Sequence, residues 1–378
     1  MMKIQIHPKI VFWILIVFLV LAPLIQLTFV PFLLSAPLAF IGCFLLSSLT
    51  MFPIFLFIWW LDRHEPEPFW LLLLCFFWGA FVATGISLMG NLLASHLFGL
   101  IFTEELQVFL TISITAPIVE EFTKGISLFF LYILFYDEFD NALDGIIYGA
   151  ICGLGFAWFE NISYYMEPFT DSSSETGFFE LLQLFYARGI ISALGGTHVI
   201  FSALTGLAFG LYRERGGKTI FLIPLGLLFS IFAHFLWNTY VHIFTDYFES
   251  PLMSYGVGLP IAVLFLQGPF IIFLIGGILS SWKAEQRIIA HYLEDESLEV
   301  VSEVEQHLFQ RKNGVRAFYP MLFLQPIAIQ QKNRILQMQI KLAFLKWHHD
   351  IHDDETQDIE QLRYEIIQKK SAIHTSHV

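Results

Sequence analysis

Glu120, Glu121 and Lys124 interrupt an apolar stretch, Leu106 to Tyr136, that otherwise reads as a plain membrane-crossing helix. Each charged group near the centre of a bilayer costs about 2.5–3.5 kcal/mol on an insertion scale. A chain carries such groups when they pair with one another, line a water-filled cavity, bind an ion or do chemistry. Glu120 and Lys124 share a helical face at i, i+4, and Glu121 and Lys124 at i, i+3. One lysine answers one carboxylate, and an ion pair locking this helix to a neighbour accounts for that much. The second carboxylate is left to be protonated, solvated or bound to a cation, and a group so placed suits a general base.

Further polar groups recur in the later apolar runs. Glu160 and Asn161 close the run that begins at Asp144, with Tyr164 one turn beyond. His198 follows Gly195-Gly196-Thr197, with Ser202 one turn on. His234 and Asn238 stand at i, i+4. Taken singly, each histidine reads as a hydrogen-bonded packing residue and Glu160 as a glutamate near a loop. Together they put carboxylates, imidazoles and an amide on four runs at compatible depths. Peptide hydrolysis needs an activated water, a stabilised oxyanion and a proton for the leaving amine. Glu120 and Glu121 can activate water, and Asn238 can donate to the oxyanion. Glu160, His198 and His234 form a ligand set suited to zinc. A metal-free site uses the same groups, with Lys124 in the cation's place. Two histidines and at least two glutamates with no other buried base favour the metal-assisted form. There is no HExxH pattern of the soluble zinc proteases.

These groups need helices to hold them. Of 378 residues 56% are hydrophobic and 14% charged, against roughly 25% charged in a soluble domain. The expected fold is all-α, a polytopic bundle of about eight transmembrane helices near 10–34, 38–61, 69–93, 107–135, 143–165, 189–211, 219–245 and 259–282. The first run reads as an uncleaved span. Pro117 suits a kink or restart just before the paired glutamates. Gly145, Gly149 and Gly153 repeat every fourth residue, the pattern of close helix packing. Cys43, Cys75 and Cys152 lie in apolar runs without metal or disulfide spacing. A net charge of −13 argues against nucleic acid as a partner.

Six basic residues (Lys3, Lys9, Arg63, Arg213, Arg215, Lys218) fall on one side of such a bundle and Arg188 alone on the other. That bias places both termini in the cytoplasm of a multi-pass cell-membrane protein. It also puts Glu160, His198 and Asn238 toward the outer leaflet. The expected domains are a core, 1–282, and a cytoplasmic helical tail, 283–378, which carries 12 basic and 14 acidic residues. A short His348, His349, His352 cluster in the tail reads as a solvated face.

The motifs also resemble a family. Asp62-Arg63-His64-Glu65-Pro66-Glu67-Pro68, Glu120-Glu121-x-x-Lys124, Asp144-Gly145-x-x-Tyr148-Gly149, Gly153-x-Gly155-Phe156-Ala157-x-x-Glu160-Asn161, Thr197-His198 and His234-x-x-Trp237-Asn238 are similar, in order and spacing, to the PrsW family of intramembrane proteases. The resemblance covers roughly residues 50–245 and extends to the type II CAAX prenyl endopeptidases and Abi-like membrane proteins. It implies Glu120 and Glu121 as the water-activating pair, with His198, His234 and Asn238 completing the site. Phe156-x-x-x-Glu160 carries glutamate where the CAAX relatives have histidine, so their mechanism does not transfer intact. The resemblance implies an endopeptidase acting on a single-span membrane protein in the lipid bilayer, with first-site cleavage of an anti-sigma factor as the bacterial role. A non-catalytic Abi-like scaffold and an ion-coupled transporter are the alternative readings of the same buried charges.

Overall fold

A computed structural model describes residue 34 and residues 36–169, 177–191, 197–247, 256–310, 327–352 and 357–375. The expected first span, 10–34, lies almost wholly outside these residues. The described residues are helical and contain no strand. Six of their helices are long and apolar enough to cross a membrane: α1 (Pro37–Leu61), α2 (Phe69–Gly99), α3 (Glu104–Leu134), α4 (Ala142–Phe169), α7 (Leu222–Ile243, continuing as helix to Tyr247) and α8 (Gly256–Tyr292). At 1.5 Å per residue each can cover the roughly 30 Å of hydrocarbon. The stretch expected as one span at 189–211 falls partly outside the described residues: helix α5 (Gly177–Leu184) runs into a wide π-helical turn, Phe185–Ile191, and α6 covers Thr197–Glu214.

The chain divides into two compact units, residues 1–61 with 67–278, and residues 62–66 with 279–378. In the first, α4 is the central helix: 89% of its apolar window is buried, against 22% for α1. Its start is fixed by a reciprocal cap. Asn141 Oδ1 accepts from the Leu143 and Asp144 amides, and Asp144 Oδ2 accepts from the Asn141 amide at 2.9 Å. The Asp144 of the sequence motif is therefore a capping residue. Glycines then let neighbours approach to backbone contact. A Cβ on Gly145, Gly149 or Gly153 would stand 2.1–2.3 Å from a carbonyl oxygen of α6, and one on Gly155 2.0 Å from that of Phe76 on α2. The glycine stripe thus seats α6, and with it His198, against α4.

On α3 the chain widens to a π-helical turn, Leu110–Thr115, directly before Pro117. Proline has no N–H to return to the preceding turn, and the wider turn absorbs that break. Trp78 Nε1 donates to the Thr123 carbonyl at 3.0 Å and Ser87 bonds Thr123 Oγ1 at 3.0 Å, tying α2 to the turn that carries the paired glutamates.

The second unit joins the end of α8 to α9 (Glu303–Gln310), α10 (Ile327–His352) and α11 (Gln357–Thr375). Leu293, Val301, Leu342, Ala343 and Ile366 form its apolar centre. The segment 62–66 belongs to it: Arg63 lies 3.9 Å over the Trp282 ring, His64 Nδ1 bonds Glu285 at 2.5 Å, and Glu65 bonds His348 at 2.8 Å.

Candidate active site

Four elements of the first unit bring their ionisable groups together. Glu120, Glu121 and Lys124 come from α3, Glu160 from α4, His198 from α6 and His234 from α7. Lys124 Nζ donates to Glu121 Oε1 at 2.6 Å, stands 3.1 Å from His198 Nδ1, and sits 3.9 Å above the Phe156 ring. Glu121 Oε1 also meets His234 Nδ1 at 2.9 Å, while its Oε2 accepts from Ser230 at 2.9 Å and Ser202 at 3.4 Å. Every oxygen of Glu121 is thus engaged. Phe201 stacks on the His234 ring at 4.7 Å, fixing its plane.

Glu120 differs from its neighbour. Its Oε2 is buried without a hydrogen-bond partner, with Lys124 Nζ and His234 Nε2 each 3.9 Å away. A buried acceptor left unmatched costs about 1–3 kcal/mol, so this oxygen is set to receive something. Glu120, Glu160, Asn161, Arg188, His198 and Asn238 lie on the wall of a cavity of about 410 Å³. Glu121 and His234 are not on that wall and reach it through Lys124, His198 and Glu120.

Glu160 Oε2 accepts from His198 Nε2 at 2.8 Å and from Arg188 Nη2 at 2.5 Å. Asn238 donates its amide to the Ile112 carbonyl in the wide turn of α3 at 3.0 Å. An amide has two N–H groups, so one is committed to backbone. Ser230 and Arg188 join the site without having been among the candidate residues of the sequence. Ser230 lies one turn before His234 and could have been read from that spacing. Arg188 was visible only as the lone exception to the basic-residue bias.

One atom each from Glu120, His198 and His234 lie within 4.8 Å of one another. The set expected from sequence for a metal, Glu160, His198 and His234, shares two of these members. Glu160 bonds His198 from the other side. A carboxylate and two imidazoles suit a catalytic divalent metal, and the unmatched Glu120 oxygen fits a ligand role.

Carboxylates and imidazoles gathered beside a cavity, within a bundle of membrane-crossing helices, make the kind of site an intramembrane hydrolase requires. The family model described as "PrsW family intramembrane metalloprotease" matches residues 67–268. A Protease PrsW of Clostridioides difficile (strain 630) is 31% identical over 206 residues, 52% of this chain and 80% of the relative. A Protease PrsW of Geobacillus kaustophilus (strain HTA426) is 28% identical over 173 residues, covering 46% of this chain and 68% of the relative. The chain belongs to the PrsW family of intramembrane metalloproteases, and it is a multi-pass membrane protein. No solved structure matches it.

Proposed function

We propose that the chain is an endopeptidase cleaving a single-span membrane protein, with Glu120 as the group that takes the proton of the attacking water. The observation that carries this is the unmatched, buried Glu120 oxygen between two histidines at the cavity wall. His198, His234 and one oxygen of Glu120 would hold a divalent metal, zinc by the chemistry of the ligand set, which when bound supplies Lewis-acid polarisation, and the other Glu120 oxygen is left to take the proton. Glu121 holds His234, Glu160 orients His198 from Nε2, and a metal at His198 Nδ1 would take the place of the Lys124 contact there. Glu120 returns its proton to the leaving amine. The second amide N–H of Asn238 serves the oxyanion. The cavity is walled by apolar Met51, Ile54 and Trp237 as well, and suits an unwound piece of a hydrophobic helix. Both termini are assigned to the cytoplasm from the basic-residue bias, so cleavage falls toward the outer side. An anti-sigma factor is the substrate that the family resemblance suggests.

The test is the purified protein in detergent with a single-span substrate. Glu120→Gln keeps the volume and cannot take a proton, so cleavage should fall about 10²–10⁴-fold at an unchanged unfolding temperature. Zinc chelation should stop the wild-type reaction, and added zinc should restore it. Undiminished cleavage by Glu120→Gln would remove the proposed base. Labelling that placed the 246–258 segment in the cytoplasm would reverse the orientation.

A further inference from the structure

Arg188 sits in the π-helical turn Phe185–Ile191, outside the helices that carry the paired glutamates and the histidines. Its guanidinium makes three contacts on one stretch of α4. Nη2 donates to Glu160 Oε2 at 2.5 Å, Nε donates to Asn161 Oδ1 at 3.0 Å, and the carbon of the fork lies 3.7 Å over the Tyr164 ring. The same Glu160 oxygen accepts from His198 Nε2 at 2.8 Å. On the far side of that ring, Lys124 Nζ stands 3.1 Å from Nδ1. An ammonium has only protons to offer, and an ionised carboxylate only lone pairs. Both neighbours therefore require the same tautomer, with the proton on Nε2 and a lone pair on Nδ1. The orientation of His198 depends on where the Glu160 carboxylate is held. That carboxylate is 23% exposed at the cavity wall, so without an anchor it can turn to water.

We propose that Arg188 is a positioning residue of the proteolytic site, clamping Glu160 so that His198 presents Nδ1 in one fixed tautomer and ring orientation. The inference rests on the proteolytic reading of the site. The planar fork matters as well as the charge, because lysine cannot reach Glu160 and Asn161 together while stacking on Tyr164. The carboxylate–histidine pairing is the kind of outer support whose loss typically costs about 10–100-fold in metal affinity or activity.

Arg188→Ala, Arg188→Lys, Glu160→Gln and the Arg188→Ala/Glu160→Gln double variant would be compared as full-length protein in detergent. Turnover of a single-span substrate and retention of Zn²⁺ against a graded chelator would both be measured. The expected result is a fall in kcat of roughly 10–100-fold with KM little changed, and a matching loss of Zn²⁺ retention. The double variant should be no worse than Glu160→Gln, and guanidinium ion should partly restore Arg188→Ala. Arg188→Lys should stay impaired at an unchanged unfolding temperature, and it carries the test if Arg188→Ala does not fold. A rise in KM alone would make Arg188 a substrate contact and overturn the inference. So would losses that multiply in the double variant, or an Arg188→Lys protein equal to wild type. If the wild type itself fails to cleave, the proteolytic reading fails, while Zn²⁺ retention still reports whether Arg188 holds the site.

Discussion

Glu120 and Glu121 are adjacent in sequence and differ in their surroundings. Glu121 is bonded by Lys124, His234 and Ser230, so it holds the frame, whereas Glu120 presents an unmatched oxygen beside the histidines. Removing the charge of Glu121 leaves a buried lysine without its partner, and breaking such a pair costs about 3–5 kcal/mol. Glu121→Gln should therefore lower both the unfolding temperature and the turnover, unlike Glu120→Gln, which should lower turnover alone. Thermal unfolding and cleavage recorded on the same samples separate the two. Equal unfolding temperatures for both variants would deny the division of roles. Most of these groups were legible in the sequence, because an ionisable residue in an apolar run stands out at once. Arg188 and Ser230 were not. Their partners lie 28 and 109 positions away, and neither the lone outer position of Arg188 nor the spacing of Ser230 to His234 names those partners.

Helix α4 shows how an element places a residue it does not carry. The four-residue glycine repeat was readable as a packing stripe, but the helix it would meet was not. The structure gives α6 as that partner: a Cβ on Gly153 would come within 2.1 Å of the His198 carbonyl oxygen and 3.0 Å of Ser202 Oγ. Overpacking of this kind typically costs about 1–3 kcal/mol, and here the backbone that must yield belongs to His198. Gly153→Ala should lower stability and turnover together. Gly42→Ala on α1, where nothing lies within 4 Å of the added carbon, should leave turnover unchanged and not reduce the unfolding temperature. A Gly153→Ala protein with wild-type turnover would show that the stripe does not register His198. The wide turns at Leu110–Thr115 and Phe185–Ile191 were not legible. A one-residue change in helical winding leaves the apolar composition untouched. Pro117 marked only the first of them, and Asn238 reaches into it to bond the Ile112 carbonyl.

At the scale of the whole molecule, the second unit is held by a different balance of forces from the first. Its small apolar centre is ringed by ion pairs between helices. Glu296 accepts from Arg363 Nη2 at 2.6 Å and from Lys346 at 2.8 Å, and Glu305 from Lys370 at 2.5 Å and Ser302 Oγ at 2.8 Å. Burial alone would raise the pKa of both carboxyls. The hydrogen bonds from Arg363 and Lys346 to Glu296, and from Lys370 and Ser302 to Glu305, outweigh it and hold both below the ordinary glutamate value. In the unfolded chain such groups titrate near about 4.3. Around that pH the folded unit binds fewer protons than the unfolded one, so its stability rises with pH. The contribution is complete above the unfolded value and is lost as the pH falls through the lower folded values. Amide hydrogen exchange within 332–346 and 358–370 of the full-length protein should therefore report constant protection, after correction for intrinsic rates, from about pH 8 to 6, then a progressive loss below about pH 5. Glu296→Gln should lower the plateau and flatten the fall. A fall of unchanged depth in Glu296→Gln would mean that Glu296 is not its source. Along α4 the first unit gains its cohesion from glycine-mediated backbone contact between apolar helices, which does not titrate. Protection within α4 should accordingly stay level across the range in which the second unit loosens.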